Sequence, residues 1–473
     1  MPESLISFIK GDKIGSETDY RDYLPINMTP VIRPMFGAEG YMLEVPGLTQ
    51  LGIGRGLDRG ANWNERFARH YRVNGNKFIS VAADGTVVEL GDVLGSDNAS
   101  MPYSFETQGI VADKKFFLYD STNGFRQVTD PDIRLPIDGT WINGKYCFTD
   151  GEFLYHTEIV NGTPVEDSVA DLALATAEFS PDPTLGVGRT TDNKWIAFNR
   201  YSIEYLRDVG GETFSFQRLE NRAIQTGLVA THAKAEIGGT WFFMGGPKEE
   251  AVSFYVLGTG QANKLATREI EKVIRKYSEN ELGSAVVESF EEDGYSFLMV
   301  RLPEETLLLN WTYAQTKGIE GAWSIMKTGL KNARWRGANG IFDPRRSQWV
   351  YGDTLGPIIG YLDNTSGEQY GEIQEWYLNT PFMYLDSASI DHLEIEIVPG
   401  FTVSKDATVF LSITSDGVAH TMEKTIEYGL PSDYSNRFIV YRPFGYIRDW
   451  FAIRMRGASK SRMAFHRAKI RYA

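Results

Sequence analysis

Cysteine is nearly absent. Cys147 is the only one among 473 residues, which excludes an intrachain disulfide and any metal or cluster site built from several thiolates. Histidine is scarce as well. The six, at positions 70, 156, 232, 392, 420 and 466, show neither His-x-x-x-His nor His-Glu-x-x-His spacing, so no metal site is expected. No stretch approaches the ~18 consecutive apolar residues of a membrane helix. Met1-Pro2-Glu3-Ser4 also lacks the basic head and apolar core of an export signal, so synthesis in a cytoplasm without membrane insertion is expected. Positive charge is in deficit, with 48 Lys and Arg against 62 Asp and Glu and a formal net charge of −14. A surface that acidic repels a phosphate backbone, which disfavours general nucleic-acid binding.

Cofactor motifs are missing too. Leu51-Gly52-Ile53-Gly54-Arg55-Gly56 is glycine-rich but lacks the G-x-G-x-x-G spacing and the Lys-Ser/Thr of a phosphate loop, and Gly258-Thr259-Gly260 has no better claim. No Gly-x-Ser-x-Gly elbow occurs. The carboxylates Asp150, Glu204, Glu249 and Asp353 are of the type that glycosidases pair across a sugar bond, but a chain with 62 acidic residues holds many such candidates, and most read as solvated turn residues. No catalytic residue and no cofactor is assigned.

What the chain does have is 47 Gly, 27 Phe, 24 Tyr and 10 Trp, with little helical patterning, the mixture that many short strands and tight turns require. An all-β fold is expected. A hairpin with an aromatic on its first strand recurs seven times, anchored on Tyr71, Phe117, Tyr146, Trp195, Trp241, Phe297 and Trp349. The spacings are 46, 29, 49, 46, 56 and 52 residues, near the roughly 40 to 50 of a propeller blade. Each hairpin would then be the middle of a four-stranded blade, its ring filling the wedge between neighbours. The interval of 29 leaves two counts open: seven blades, or six and an irregular segment. A sandwich or two stacked barrels would also produce hairpins at such intervals.

One segment breaks the pattern. From Thr267 to Tyr277, Ile270, Val273, Ile274 and Tyr277 fall at i, i+3, i+4 and i+7, which predicts an amphipathic helix capped by Thr267 and protruding from the repeat as an insertion. Either it packs back on the propeller or it meets a neighbouring subunit through Glu269, Glu271, Lys272 and Arg275. From about Gly371 the texture changes to long alternating strands, including Glu375 to Thr380, His392 to Val398, Thr408 to Thr414, Phe438 to Tyr441, Trp450 to Arg456 and Met463 to Tyr472. The expected organisation is an N-terminal segment over 1–66 that partly completes the propeller, a β-propeller over 67–369 with a helix at 267–279, and a sandwich-like β domain over 370–473. No acidic residue follows Asp449, whereas Arg454, Arg456, Lys460, Arg462, Arg467, Lys469 and Arg471 do. That asymmetry suggests an interface with an acidic surface, while the alternation of Arg467, Lys469 and Arg471 equally suits the wet face of an outer strand.

Several islands resemble one family in order along the chain. They are Asp22-Tyr23-Leu24-Pro25-Ile26-Asn27-Met28, Gly40-Tyr41, Val45-Pro46-Gly47-Leu48-Thr49, Ser202-Ile203-Glu204-Tyr205, Leu257-Gly258-Thr259-Gly260-Gln261-Ala262, Ala266 to Tyr277, and Leu411 to Gly417. With these the chain resembles the packaged-DNA stabilization proteins of short-tailed, enteric-type bacteriophages; residues 105 to 180 and the last 30 depart from that pattern. The resemblance implies a structural virion protein of the tail, assembled inside the bacterial host. Six copies would ring the DNA channel below the portal and its adaptor ring, retain packaged DNA, and carry a trimeric tail needle and trimeric tailspikes, with no catalytic role and no cofactor. The rival expectation is a propeller enzyme or lectin-like module acting on host surface polysaccharide.

Overall fold

The computed structural model describes residues 3–9, 23–33, 40–177, 181–211, 213–219, 222–435, 437–441 and 445–473. Met1, Pro2 and Asp22, quoted above, lie outside the described residues. Seven antiparallel sheets follow one another around an axis, spanning 58–92, 108–127, 138–176, 184–218, 227–264, 286–334 and 337–363. These are the blades of a seven-bladed propeller. Every anchor aromatic lies on the second strand of its blade, as in Arg69–Asn74 for Tyr71 and Gln348–Asp353 for Trp349. The 29-residue interval has a simple cause: the second blade has only three strands, Gln108–Ala112, Lys115–Asp120 and Gly124–Gln127.

The rings do fill the wedges between blades. Tyr71 meets Tyr119 of the second blade at 5.7 Å, and Phe116 meets Tyr146 of the third at 5.1 Å, both edge to face. Phe198 of the fourth blade and Trp241 of the fifth lie 5.5 Å apart, and Phe290 of the sixth stands edge-on to Trp349 of the seventh. Such geometries add about 0.5–1.5 kcal/mol per pair to the burial itself.

The ring closes through a strand from the other end of the chain. Gly47–Ile53 pairs antiparallel with Ile358–Asp363 and becomes the fourth strand of the seventh blade, fastened by Thr49 Oγ1 donating to Asp363 at 2.7 Å. Beside it, Arg72 of the first blade donates to Asp58 at 2.7 Å and to the carbonyls of Ala338 and Asn339 in the seventh, with both charged side chains fully buried. Strand Asp58–Asn64 belongs to the first blade, so a division at 66/67 falls inside that blade.

The C-terminal part is a sandwich. One sheet holds Glu375–Asn379, Trp450–Ala458, Thr408–Thr414 and Lys424–Glu427; the other holds Ala388–Ile397, Ala464–Tyr472 and Phe438–Tyr441. Three N-terminal strands, Glu3–Ser7, Met28–Val31 and Tyr41–Glu44, complete the second sheet, and Ile6, Phe8, Met28 and Met42 are buried in its core with Trp376 and Phe465. The N-terminal segment therefore serves both units.

Helices are few. Among the described residues α1 spans Arg268–Ile274, α2 Glu279–Leu282 and α3 Trp311–Lys317. Thr267 stands at the N-cap of α1 with extended backbone but makes no side-chain cap bond, and α1 stops before Tyr277. The reciprocal cap belongs to α2, where Ser278 and Glu281 satisfy each other's backbone N–H groups. The insertion also does not protrude: Ile270, Val273 and Ile274 are buried in the large core shared by blades four to six. α3 had no periodic signal, and its cap is Asn310, whose side chain accepts from Tyr313 N.

Candidate interaction surfaces

The helix carries two different polar faces. Glu271 accepts from Lys264 at 3.0 Å and from Arg275 one turn on at 3.3 Å, so these groups are tied to their own chain. That bond to Glu271 holds the Lys264 ammonium above its ordinary value. Glu269 and Lys272 instead line a cavity of about 490 Å³ between α1 and the sandwich. Its floor is Tyr23, Ile26, Ile325 and Tyr377; its walls include Lys276, His420 and Arg454. Lys276 pairs with Glu305 and Arg454 with Glu423, each at 3.2 Å. The four helix residues thus divide, with Glu271 and Arg275 in a local pair and Glu269 and Lys272 facing the groove.

The basic C-terminal strand meets acids of its own chain. Arg467, Lys469 and Arg471 alternate along Ala464–Tyr472 and share its outward face. Arg467 pairs with Glu396 at 2.8 Å, Lys469 with Glu3 at 2.8 Å, and Arg471 with Glu3 at 2.6 Å. Hydrogen bonds from Lys469 and Arg471 keep the Glu3 carboxyl below its usual range. The other four positive groups also have partners: Arg454 and Arg456 meet Glu423, Arg456 meets Glu375, Lys460 meets Glu368, and Arg462 donates to the carbonyls of Glu44 and Asn364. The pairing crosses the fold, from 31 residues for Arg454–Glu423 to 468 for Arg471–Glu3, so no short sequence window reveals it.

Sequence reasoning missed the junction between propeller and sandwich. Residues 25–27 lie between the outer strand of the sixth blade, Trp323–Thr328, and the sandwich strand Glu375–Asn379. Ile325 N donates to Pro25 O and Asn27 N to Ile325 O, both at 2.8 Å, while Ile26 and Tyr377 exchange backbone bonds at 3.1 and 3.2 Å. Hydrogen bonding is therefore continuous from a propeller blade into the sandwich. Asn27, at φ 52°, adds side-chain bonds to Lys327 O, Glu375 O and Lys327 N, an αL position that Asn tolerates better than most residues. The Tyr23 hydroxyl accepts from Asn379 N and donates to Tyr377 O. Nearby, burial raises the Glu44 carboxyl to about 8, and it accepts from Gln374 and from Met463 N. Only the island Tyr23 to Met28 hinted at this site, and it did so without a mechanism.

The glycosidase-type carboxylates are not brought together. Asp150 shapes a turn in the third blade by accepting from Glu152 N and Phe153 N, and Glu249 is exposed in a turn of the fifth. Glu204 and Asp353 are buried, contrary to a solvated turn role. Glu204 accepts from Asn199 in the fourth blade, and Asp353 takes two bonds from Arg336 in the seventh. Each has a local structural task. Among the described residues no group of three His, Cys, Asp or Glu could hold a metal ion, and no helix is long and apolar enough to cross a membrane.

Two family models cover this architecture: Bacteriophage P22 Gp10, beta-propeller, over residues 4–367, and Bacteriophage P22 Gp10, beta-sandwich, over residues 375–473. The chain belongs to the P22 Gp10 family. A curated relative, the tail hub protein gp10 of Salmonella phage P22, is 29% identical over 493 residues, covering 100% of both chains. The expected propeller and sandwich are thus the fold of the Gp10 family, and the phage tail resemblance holds along the whole length. Among solved structures, a streptogramin B lyase is similar at a TM-score of 0.41 and 13% identity, over 68% of this chain and 97% of its own. The WD40 domain of Neurospora crassa Pan2 is similar at 0.42 and 8% identity, with the same coverage.

Proposed function

We propose that this protein is the structural tail hub of a short-tailed bacteriophage and resides in the virion tail. The observation that carries this reading is the end-to-end agreement of both units with the P22 Gp10 family, joined to a full-length relative named for that role. A hub transmits load between neighbours. The backbone bonds through residues 25–27 suit that task, because they make propeller and sandwich one hydrogen-bonded body.

In the finer reading, six copies form a ring under the portal and its adaptor, surround packaged DNA without reading its sequence, and carry the needle and tailspikes. A closed ring needs heterologous contacts, with one face meeting a different face of the next copy. The groove beside α1, with Glu269 and Lys272, and the outward sheet face with Arg467, Lys469 and Arg471 are two distinct surfaces available for this. The net charge of −14 suits a channel along which a duplex slides without being gripped. Mass photometry and electron microscopy of the purified chain with its adaptor ring test the reading directly. Ring-sized particles that restore DNA retention to hub-deficient heads are expected; a monomer that cleaves host polysaccharide would replace this reading with the enzyme.

A further inference from the structure

We propose that the mouth of the propeller across blades one to four is a binding site for a carboxylate-bearing sugar ring. A cavity of about 530 Å³ opens there, within the range that encloses small ligands, walled by Tyr103, Phe105 and Trp141 with Asn62, Arg66 and Arg189 around them. Phe105 is 67% exposed, an unusual state for a large apolar ring on a concave surface. The exposure is built into the fold. Phe105 stands edge-on to Trp141 with centroids 5.1 Å apart, Arg66 Nε donates to its carbonyl at 3.3 Å, and Ser104 Oγ accepts from Glu106 N and Thr107 N to hold the turn.

The polar groups point to the ligand class. Neither Arg66 nor Arg189 forms an ion pair with a carboxylate among the described residues; Arg189 senses Glu236 only through space. Two exposed guanidiniums beside one cavity, on a chain of charge −14, favour an anion, and a planar carboxylate matches their fork. A pyranose offers an apolar C–H face to the aromatic walls and hydroxyls to Asn62 and to Glu65 at the rim. An apolar peptide side chain would fill the aromatic part but leave the donors unused.

Saturation-transfer NMR and tryptophan fluorescence titrations on the full chain test this with glucuronate and galacturonate, glucose as the neutral control, and N-acetyl-Phe-Glu-amide as a peptide probe. Saturable uronate binding is expected, stronger than glucose and weakened at least about tenfold in both Phe105→Ala and Arg189→Ala. Both side chains are exposed, so thermal melting should show the variants folded. Absence of saturable uronate binding, wild-type affinity in either folded variant, or tighter binding of the dipeptide than of either uronate would overturn the proposal.

Discussion

Gln374 donates to the Glu44 carboxyl at 3.1 Å in the interior where propeller meets sandwich, and burial holds that carboxyl protonated up to about pH 8. In the unfolded chain the same group titrates near 4.5. Between these values the folded state binds more protons, so Glu44 should lower stability steadily as pH rises from about 4.5 to about 8 and contribute no further change above that. Each pH unit separating the two states corresponds to about 1.4 kcal/mol. Glu44→Gln should flatten this part of the stability profile while costing about 1 kcal/mol for an acceptor lost to Gln374 or Met463. Urea unfolding measured at several pH values decides: an unchanged slope in the variant would show that Glu44 does not titrate in this window.

Asn27 should be needed for the two units to unfold together. Its side chain bonds Lys327 O, Lys327 N and Glu375 O; Lys327 O keeps Gln369 Nε2 as a second donor at 3.1 Å, and each buried backbone group left without any partner costs roughly 1–3 kcal/mol. Asn27→Ala adds strain at φ 52°, whereas Asn27→Gly removes the bonds without that strain. Calorimetry should show the wild-type transition splitting into separate propeller and sandwich transitions in both variants. If only the Ala variant splits, backbone strain rather than the lost bonds is responsible.

Arg72 and Asp58 make the corresponding test for ring closure. Removing one member of a fully buried pair leaves the other charge unpaired, so Arg72→Met should lose about 3–5 kcal/mol in chemical denaturation. It also deprives the Ala338 and Asn339 carbonyls of a donor across the closing seam. Hydrogen exchange should rise first in Gly47–Ile53 and the seventh blade; protection lost uniformly over all blades would argue against a local seam.

These elements show what the sequence could reveal. The hairpins were legible because each is local, and an aromatic on the second strand marks the packing surface between blades. The strands Thr408–Thr414 and Phe438–Tyr441 were legible for the same reason, through alternation within seven and four residues. Closure by Gly47–Ile53 was not, because its partner Ile358–Asp363 lies about 310 residues away and alternation does not say which edge a strand joins. Asn27 and Glu44 carried no signal as single polar residues. The basic segment was visible as composition, but its neutralisation by Glu3, Glu394 and Glu396 depends on three strands meeting in one sheet.

The two acidic residues of α1 should behave differently. Glu269→Lys changes the charge in the groove without breaking an ion pair among the described residues, so it should impair incorporation into tails at an unchanged melting temperature. Glu271→Lys repels Lys264 and Arg275 and should cost up to about 1 kcal/mol of subunit stability in addition. Sedimentation of tails assembled in vitro gives the readout. Normal assembly by a folded Glu269→Lys protein would leave α1 as a packing element alone.

The outward face of Ala464–Tyr472 supplies the last test. Glu3 is held by both Lys469 and Arg471, and among the described residues strand Glu3–Ser7 pairs in the sheet along residues 467–471. Reversing both basic charges should therefore loosen that strand, even though partly exposed ion pairs contribute only about 0–1 kcal/mol each. Hydrogen exchange at residues 4–7 should rise in Lys469→Glu/Arg471→Glu and recover in large part when Glu3→Lys is added, because the pairing with position 3 is then restored with opposite sign while Glu394 still faces the reversed charge at position 471. A contact with DNA or with an acidic neighbour predicts the opposite outcome for the triple variant: the strand would be restored, yet tails would still fail to assemble or filled heads would leak. Full recovery of assembly and DNA retention in the triple variant would mean that these charges act within the subunit, pinning the N-terminal strand to the sandwich.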